Sequence, residues 1–173
     1  RGLGDVYKRQ VQTELPAEFH RQVYRQTDEI FTAEGNPGND ILPKVAALQE
    51  VFDQPVVRGA LTSILGPDYI MHPHRHCHAN EPGSSGQNFH QDSYEDDQNV
   101  RHHRTRWVMA FYYPQDTPPE LGPTAIIPKS QYLVKDNPSE EEVFTDGQAG
   151  TICLVHYDMR HLPLGFGRQS TPH

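Results

Sequence analysis

Cysteine, tryptophan and long apolar runs are all scarce in this chain. Its 173 residues include two cysteines, Cys77 and Cys153, and a single tryptophan, Trp107. The cysteines lie far apart and neither belongs to a CxxC pair. This argues against a disulfide framework and leaves reduced thiols as the reading. Apolar residues make up 35% of the sequence, and no apolar run approaches the roughly 20 residues a membrane helix needs. Basic residues are the minority, 15 Lys and Arg against 23 Asp and Glu, for a formal charge of -8. That balance argues against a nucleic-acid surface. No charged, then apolar, then small-residue pattern opens the sequence, so a cytoplasmic location is expected. A GxSxG elbow and a Walker-type phosphate loop are also missing, which removes the commonest signals of serine hydrolysis and nucleotide binding.

Histidine is plentiful by contrast, with eleven residues, and their positions carry most of the information. The length suggests one domain with one modest core. Residues 1–10, RGLGDVYKRQ, read like a translated frame of a transposase sequencing adaptor and are set outside the fold. Residues 11–66 form a helical region. Helices are predicted over 14–34, ended by Gly35; over 42–53, with Pro43 in its first turn; and over 56–65, closed by Gly66-Pro67. From residue 67 to 173 short extended runs alternate with turn chemistry, the pattern of a β sandwich or barrel. Strands are predicted over 69–77, 87–92, 104–114, 124–127, 143–145 and 151–157. The run 104–114 is apolar on both faces and is therefore expected at the centre of a sheet. The last residues, LPLGFGRQSTPH, show no strand alternation and no helical period, so the core reads as incomplete at that end.

The chemistry begins at Asn88-Phe89-His90-Gln91-Asp92. On a strand, residues two apart point the same way, so His90 and Asp92 can reach one ion. An HxD alone is a weak signal. A third ligand is offered by Val155-His156-Tyr157-Asp158-Met159-Arg160-His161, after the apolar strand Thr151–Leu154. Two histidines and one carboxylate on one face of Fe(II) leave open positions for a keto acid and dioxygen. Either His156 or His161 would complete that set.

Four blocks in this order, HQD, RWVMAFYYPQD, ELGPTAIIPKSQ and GTICLVHYDMRH, resemble the phytanoyl-CoA dioxygenase family over about residues 66–161. The resemblance implies a mainly β fold, a double-stranded β-helix (jelly roll, cupin-like), with N-terminal helices outside it. It implies Fe(II) held by His90, Asp92 and His161, with His156 at the earlier, non-ligating position. It also implies 2-oxoglutarate as co-substrate, converted to succinate and carbon dioxide while a small-molecule or acyl substrate is hydroxylated by dioxygen. Phe111 falls where the family places an aromatic beside the co-substrate, and Thr124 and Ser130 fall in the matching turn region. Asp92 favours hydroxylation over halogenation, because related halogenases lack that carboxylate.

Two positions depart from the family pattern. Lys129 stands where a glycine is usual, and a positive φ there would be costly for lysine. The arginine expected about ten residues past the distal histidine has no match, since Arg168 comes too early. An alternative reading is therefore a non-catalytic, metal-binding barrel of cupin type, and a further one is an interaction module with incidental histidines.

Other clusters have plainer readings. His72, His74, His76 and His78 would share one strand face, and one or two could line a pocket leading to the HxD. Four ligands in line cannot close around one ion. Arg101, His102, His103, Arg104 and Arg106 read as a solvated basic loop, and Ser139–Glu142 as a solvated acidic one. Trp107 reads as core.

Overall fold

A long buried strand, Thr151–His156, organises the molecule. Five of its six residues, Thr151 to Val155, are buried. A strand buried on both faces must be covered by a layer on each side, and this one is. The structure, a computed structural model, describes residues 8–79, 88–92, 105–132 and 141–163. In chain order its elements are β1 (Lys8–Gln12), α1 (Ala17–Glu34), α2 (Ile41–Lys44), α3 (Ala47–Phe52), α4 (Pro55–Leu65), β2 (Val108–Tyr113), β3 (Thr124–Ile126), β4 (Val143–Phe144), β5 (Thr151–His156) and β6 (His161–Pro163).

Among the described residues the strands form two three-stranded antiparallel sheets, ordered β1-β5-β2 and β4-β3-β6. Alternation along β5 separates its two faces. Ile152 and Leu154 pack with Val51, Val57 and Ala60 of α3 and α4, joined by Phe19 of α1 and Ala110 and Tyr112 of β2. Cys153 and Val155 point the other way, toward Ile126 of β3, Met159, Met109 and Phe111. The layers are thus helices, first sheet and second sheet, and the even and odd residues of β2 divide between the two interfaces.

Several expectations need correction. Residues 8–10 are not outside the fold: Lys8 pairs with Val155, Arg9 with Leu154 and Gln10 with Cys153. Their side chains join too, with Lys8 Nζ donating to the Phe144 carbonyl at 2.8 Å. The predicted helix 42–53 is broken in two at Val45 (φ -119°, ψ 73°). Burial of Val45 against Val23 and Ile41 outweighs the helical register, to which a β-branched residue contributes little. Gly35, by contrast, ends α1 as expected at φ 79°, its N–H donating to the Phe31 carbonyl at 2.9 Å.

The 69–77 run forms no strand and bends at Pro73. Residues 88–92 form no strand either, only a single bridge at His90. Among the described residues β2 flanks β5 instead of occupying the centre, and all six of its residues are half-buried. Its run of large apolar side chains hid this, since two-sided apolarity in sequence does not reveal how fully each face is covered. Trp107, read as core, is 40% exposed. It precedes β2 and leans on the rings of His72 and Tyr157 instead of entering the interior. The 101–104 part of the basic cluster, Ser139, Glu140 and Arg168 lie outside the described residues.

Candidate metal centre

β6 was not expected, and it carries the site. β5 ends at His156, and a turn follows in which the Met159 N–H donates to the His156 carbonyl at 2.9 Å. The chain then returns as His161–Pro163 beside β3, with His161 opposite Ile126. On its other side His161 faces His90, each donating its N–H to the other's carbonyl at 3.0 Å. His161 is held from both flanks and is 4% exposed.

Backbone pairing therefore brings His90, Asp92 and His161 together. One ligand-capable atom from each lies within 4.8 Å of the others. Asp92 sits between the two imidazoles, with Oδ1 3.7 Å from His90 Nε2 and Oδ2 3.7 Å from His161 Nε2. These separations are too long for hydrogen bonds. Both are shorter than twice the ~2.1 Å bond of an imidazole or carboxylate to a divalent ion, and the three residues form a group that could hold a metal ion.

The ring nitrogens are committed accordingly. His90 Nδ1 lies 2.9 Å from the Asn88 carbonyl, and His161 Nδ1 lies 2.9 Å from the Met159 carbonyl. A carbonyl oxygen only accepts, so each Nδ1 carries the hydrogen. This leaves Nε2 of each ring as the atom turned toward Asp92 and available to a metal, the tautomer a metal ligand needs. Burial lowers the pKa of His161, as does His90; its bond to the Met159 carbonyl and the Asp92 charge oppose this.

Gln91, which the sequence reading passed over, joins the HxD segment to the rest of the site. Its Nε2 donates to the Ser130 carbonyl at 3.2 Å and to the Asp158 carbonyl at 2.7 Å. Residues one apart face oppositely on an extended chain, so Gln91 holds the segment from behind while His90 and Asp92 face the centre. The residue between two ligands in an HxD was the available signal.

The remaining candidates divide. The Phe111 ring lies 6.0 Å from that of His161, centre to centre. His156 is not in the cluster; its Nδ1 accepts the Asp158 N–H at 3.1 Å and so shapes the turn before His161. The Ser130 hydroxyl donates to the Ile127 carbonyl at 2.6 Å and accepts the Arg160 N–H at 2.8 Å, tying the turn at residue 129 to the approach of His161. The Thr124 carbonyl accepts both the N–H and the hydroxyl of Thr145, at 3.0 and 2.9 Å. Lys129 has φ +67°, so the position where the family favours glycine does require the left-handed conformation.

The profile of the phytanoyl-CoA dioxygenase (PhyH) family matches residues 5–160. The chain belongs to this family. The phytanoyl-CoA dioxygenase match takes in residues 5–10, His90 and Asp92, and it ends one residue before His161. His161 therefore enters the site through geometry, by its pairing with His90 and its place within the cluster. No curated protein matches the chain significantly. Among the described residues no helix is long and apolar enough to cross a membrane.

Proposed function

We propose that this protein is an Fe(II)- and 2-oxoglutarate-dependent oxygenase that hydroxylates a small-molecule or acyl substrate, with a double-stranded β-helix as its core. The observation that carries the reading is the convergence of two Nε2 lone pairs on the Asp92 carboxylate in a chain of this family. Neutral imidazoles and one carboxylate leave part of the coordination sphere open, as an oxygen-activating site requires. When bound, Fe(II) supplies the activation of dioxygen, coupled to conversion of 2-oxoglutarate to succinate and carbon dioxide.

The chain's own residues provide positioning and shielding. His161 forms the closed side of the site, with Phe111 against it. His90 and Asp92 are partly exposed and form the open side, by which substrate and dioxygen approach. Asp92 supplies the negative charge that offsets the ion. Phe111 lies beside the co-substrate, while Thr124 and Ser130 shape that wall mainly through the backbone they hold.

The test is anaerobic titration with Fe(II) and then 2-oxoglutarate, following the visible charge-transfer band of a chelated keto acid. The band is expected in the native chain and absent from His90→Ala and His161→Ala. Iron binding without a band would favour a cupin-type metal-binding barrel that does not consume 2-oxoglutarate. Absence of iron binding would overturn both readings.

A further inference from the structure

The segment Met71–Ala79 (MHPHRHCHA) has four histidines and one arginine and no acidic residue, in a chain with a formal charge of -8. Two bonds fix it to the loop after α1: Asn36 Nδ2 donates to the Cys77 carbonyl at 2.9 Å, and the Arg75 N–H donates to Asn39 Oδ1 at 3.0 Å. Cys77 packs, like Tyr112 of β2, against Val23, Ile41 and Val45 on the helical side. Its sequence neighbours His76 and His78 are not part of that packing and are open to water. Exposure alternates in agreement, with Arg75 and Cys77 half-buried and His74, His76 and His78 open.

The imidazoles form a row. Ring centres are 6.4 Å apart from His72 to His74, 4.6 Å from His74 to His76 and 6.3 Å from His76 to His78. At one end the His72 ring meets Trp107 edge-on at 5.5 Å. At the other end His78 lies within the electrostatic reach of His161, His90 and Asp92 and is crowded by surrounding atoms while still open to water. The row thus runs from Trp107 toward the metal centre. The row does not converge on a point, and among the described residues His90, Asp92 and His161 are the only group of three or more whose donor atoms do. Its geometry suits an elongated ligand, not a second ion. Each neutral imidazole offers one donor and one acceptor, which an aliphatic chain cannot use and whose desolvation it would leave uncompensated.

We propose that the row His72, His74, His76 and His78 is the substrate-binding wall of the metal centre, and that it selects a polar organic anion with several oxygen acceptors over an aliphatic acyl chain. This deepens the oxygenase reading and rests on it for the word substrate.

Trp107 is the single tryptophan and touches the far end of the row, so its fluorescence reports occupancy without turnover. The metal-free chain is titrated with tricarballylate and, separately, with octanoate; Zn(II) binding is measured in parallel. Tricarballylate is expected to change the Trp107 emission and to bind at least tenfold tighter than octanoate. In His74→Leu/His76→Leu its Kd rises at least tenfold, while Zn(II) affinity is unchanged. Both replaced side chains are exposed, and His76→Gln, which keeps a donor and an acceptor, retains most of the binding. Octanoate binding as tightly as tricarballylate, no response to tricarballylate, or an unaltered Kd in the double variant would each overturn the proposal. Loss of Zn(II) binding in His90→Ala with the Trp107 response intact isolates the wall from the metal. A native chain that binds tricarballylate but no metal would sink the oxygenase reading and leave the wall standing as an anion site.

Discussion

His90 and His161 are directly opposed across a bridge in which each donates its N–H to the other's carbonyl at 3.0 Å, with ring centres 4.4 Å apart. Two candidate ligands remote in sequence are thus fixed by main-chain bonds, and their side chains need little further restraint. Asp92 depends on the same bridge, since it lies two residues beyond His90 on the same face.

Gln91 secures that segment from behind. Gln91→Ala removes both bonds to the carbonyls of Ser130 and Asp158, so Asp92 should drift relative to His161. Outer positioning groups of metal sites are worth about 10–100-fold in affinity. Zn(II) or Fe(II) affinity should fall about tenfold by calorimetry, with a smaller effect on the thermal midpoint of the metal-free chain. An unchanged affinity would show that the bridge alone suffices.

Lys129 should be a site of easy stabilisation. At φ +67° a side chain costs about 1–2 kcal/mol, partly offset by the greater unfolded-state freedom of glycine. Lys129→Gly should therefore gain about 0.5–1 kcal/mol and raise the midpoint by a few degrees in a thermal melt. A lower midpoint would mean that lysine contacts outweigh the backbone term.

His20 should make the fold acid-sensitive. Its Nδ1 lies 2.7 Å from the Tyr112 hydroxyl and its Nε2 lies 3.1 Å from Thr13 Oγ1, and burial lowers its pKa. The unfolded chain then takes up the proton first as pH falls below about 6.5, the value of an unperturbed imidazole. Stability is full above that point and declines below it. His20→Gln should lower stability at neutral pH, on the order of 1–3 kcal/mol, and flatten the decline in denaturant melts at stepped pH. An equal slope in both proteins would remove His20 from the account.

The thiols should be inert in the folded protein. Burial raises the Cys153 thiol to about 12 and the Cys77 thiol to about 11, so little thiolate exists at neutral pH. A colorimetric thiol reagent should label Cys153 only after urea is added, with Cys77 reacting slowly. Immediate labelling of Cys153 would mean that the layer between the sheets opens readily.

Much of the site was legible in sequence because its signals are local. The i, i+2 spacing of His90 and Asp92 sets their common face, and the positive φ at Lys129 could be anticipated from a position that favours glycine. β5 and the ends of α1 and α4 were also readable, from an apolar run and from Gly35 and Gly66. What was missed depends on distant partners. Residues 8–12 carry no alternation strong enough to announce a strand, and they become one only because β5 offers a free edge. β6 is likewise made by β3 and His90. The expected helix 42–53 broke because Val45 gains more from burial beside Val23 than from another helical turn, a balance no local window contains.

The pairing of β1 with β5 has a consequence for how the molecule is made. Lys8 waits for Val155 and Gln12 for Thr151, so the first sheet is sewn across nearly 150 residues of intervening chain. Closing so long a loop is entropically slow and gives topologies of this kind low folding rates. During synthesis the helices can form early, but their apolar face has no sheet to cover it until residue 155 has left the ribosome. Until then Val51, Val57 and Ala60 stand open to other chains, and a cell that delays or stalls translation between residues 66 and 155 should see this protein first as a client of chaperones.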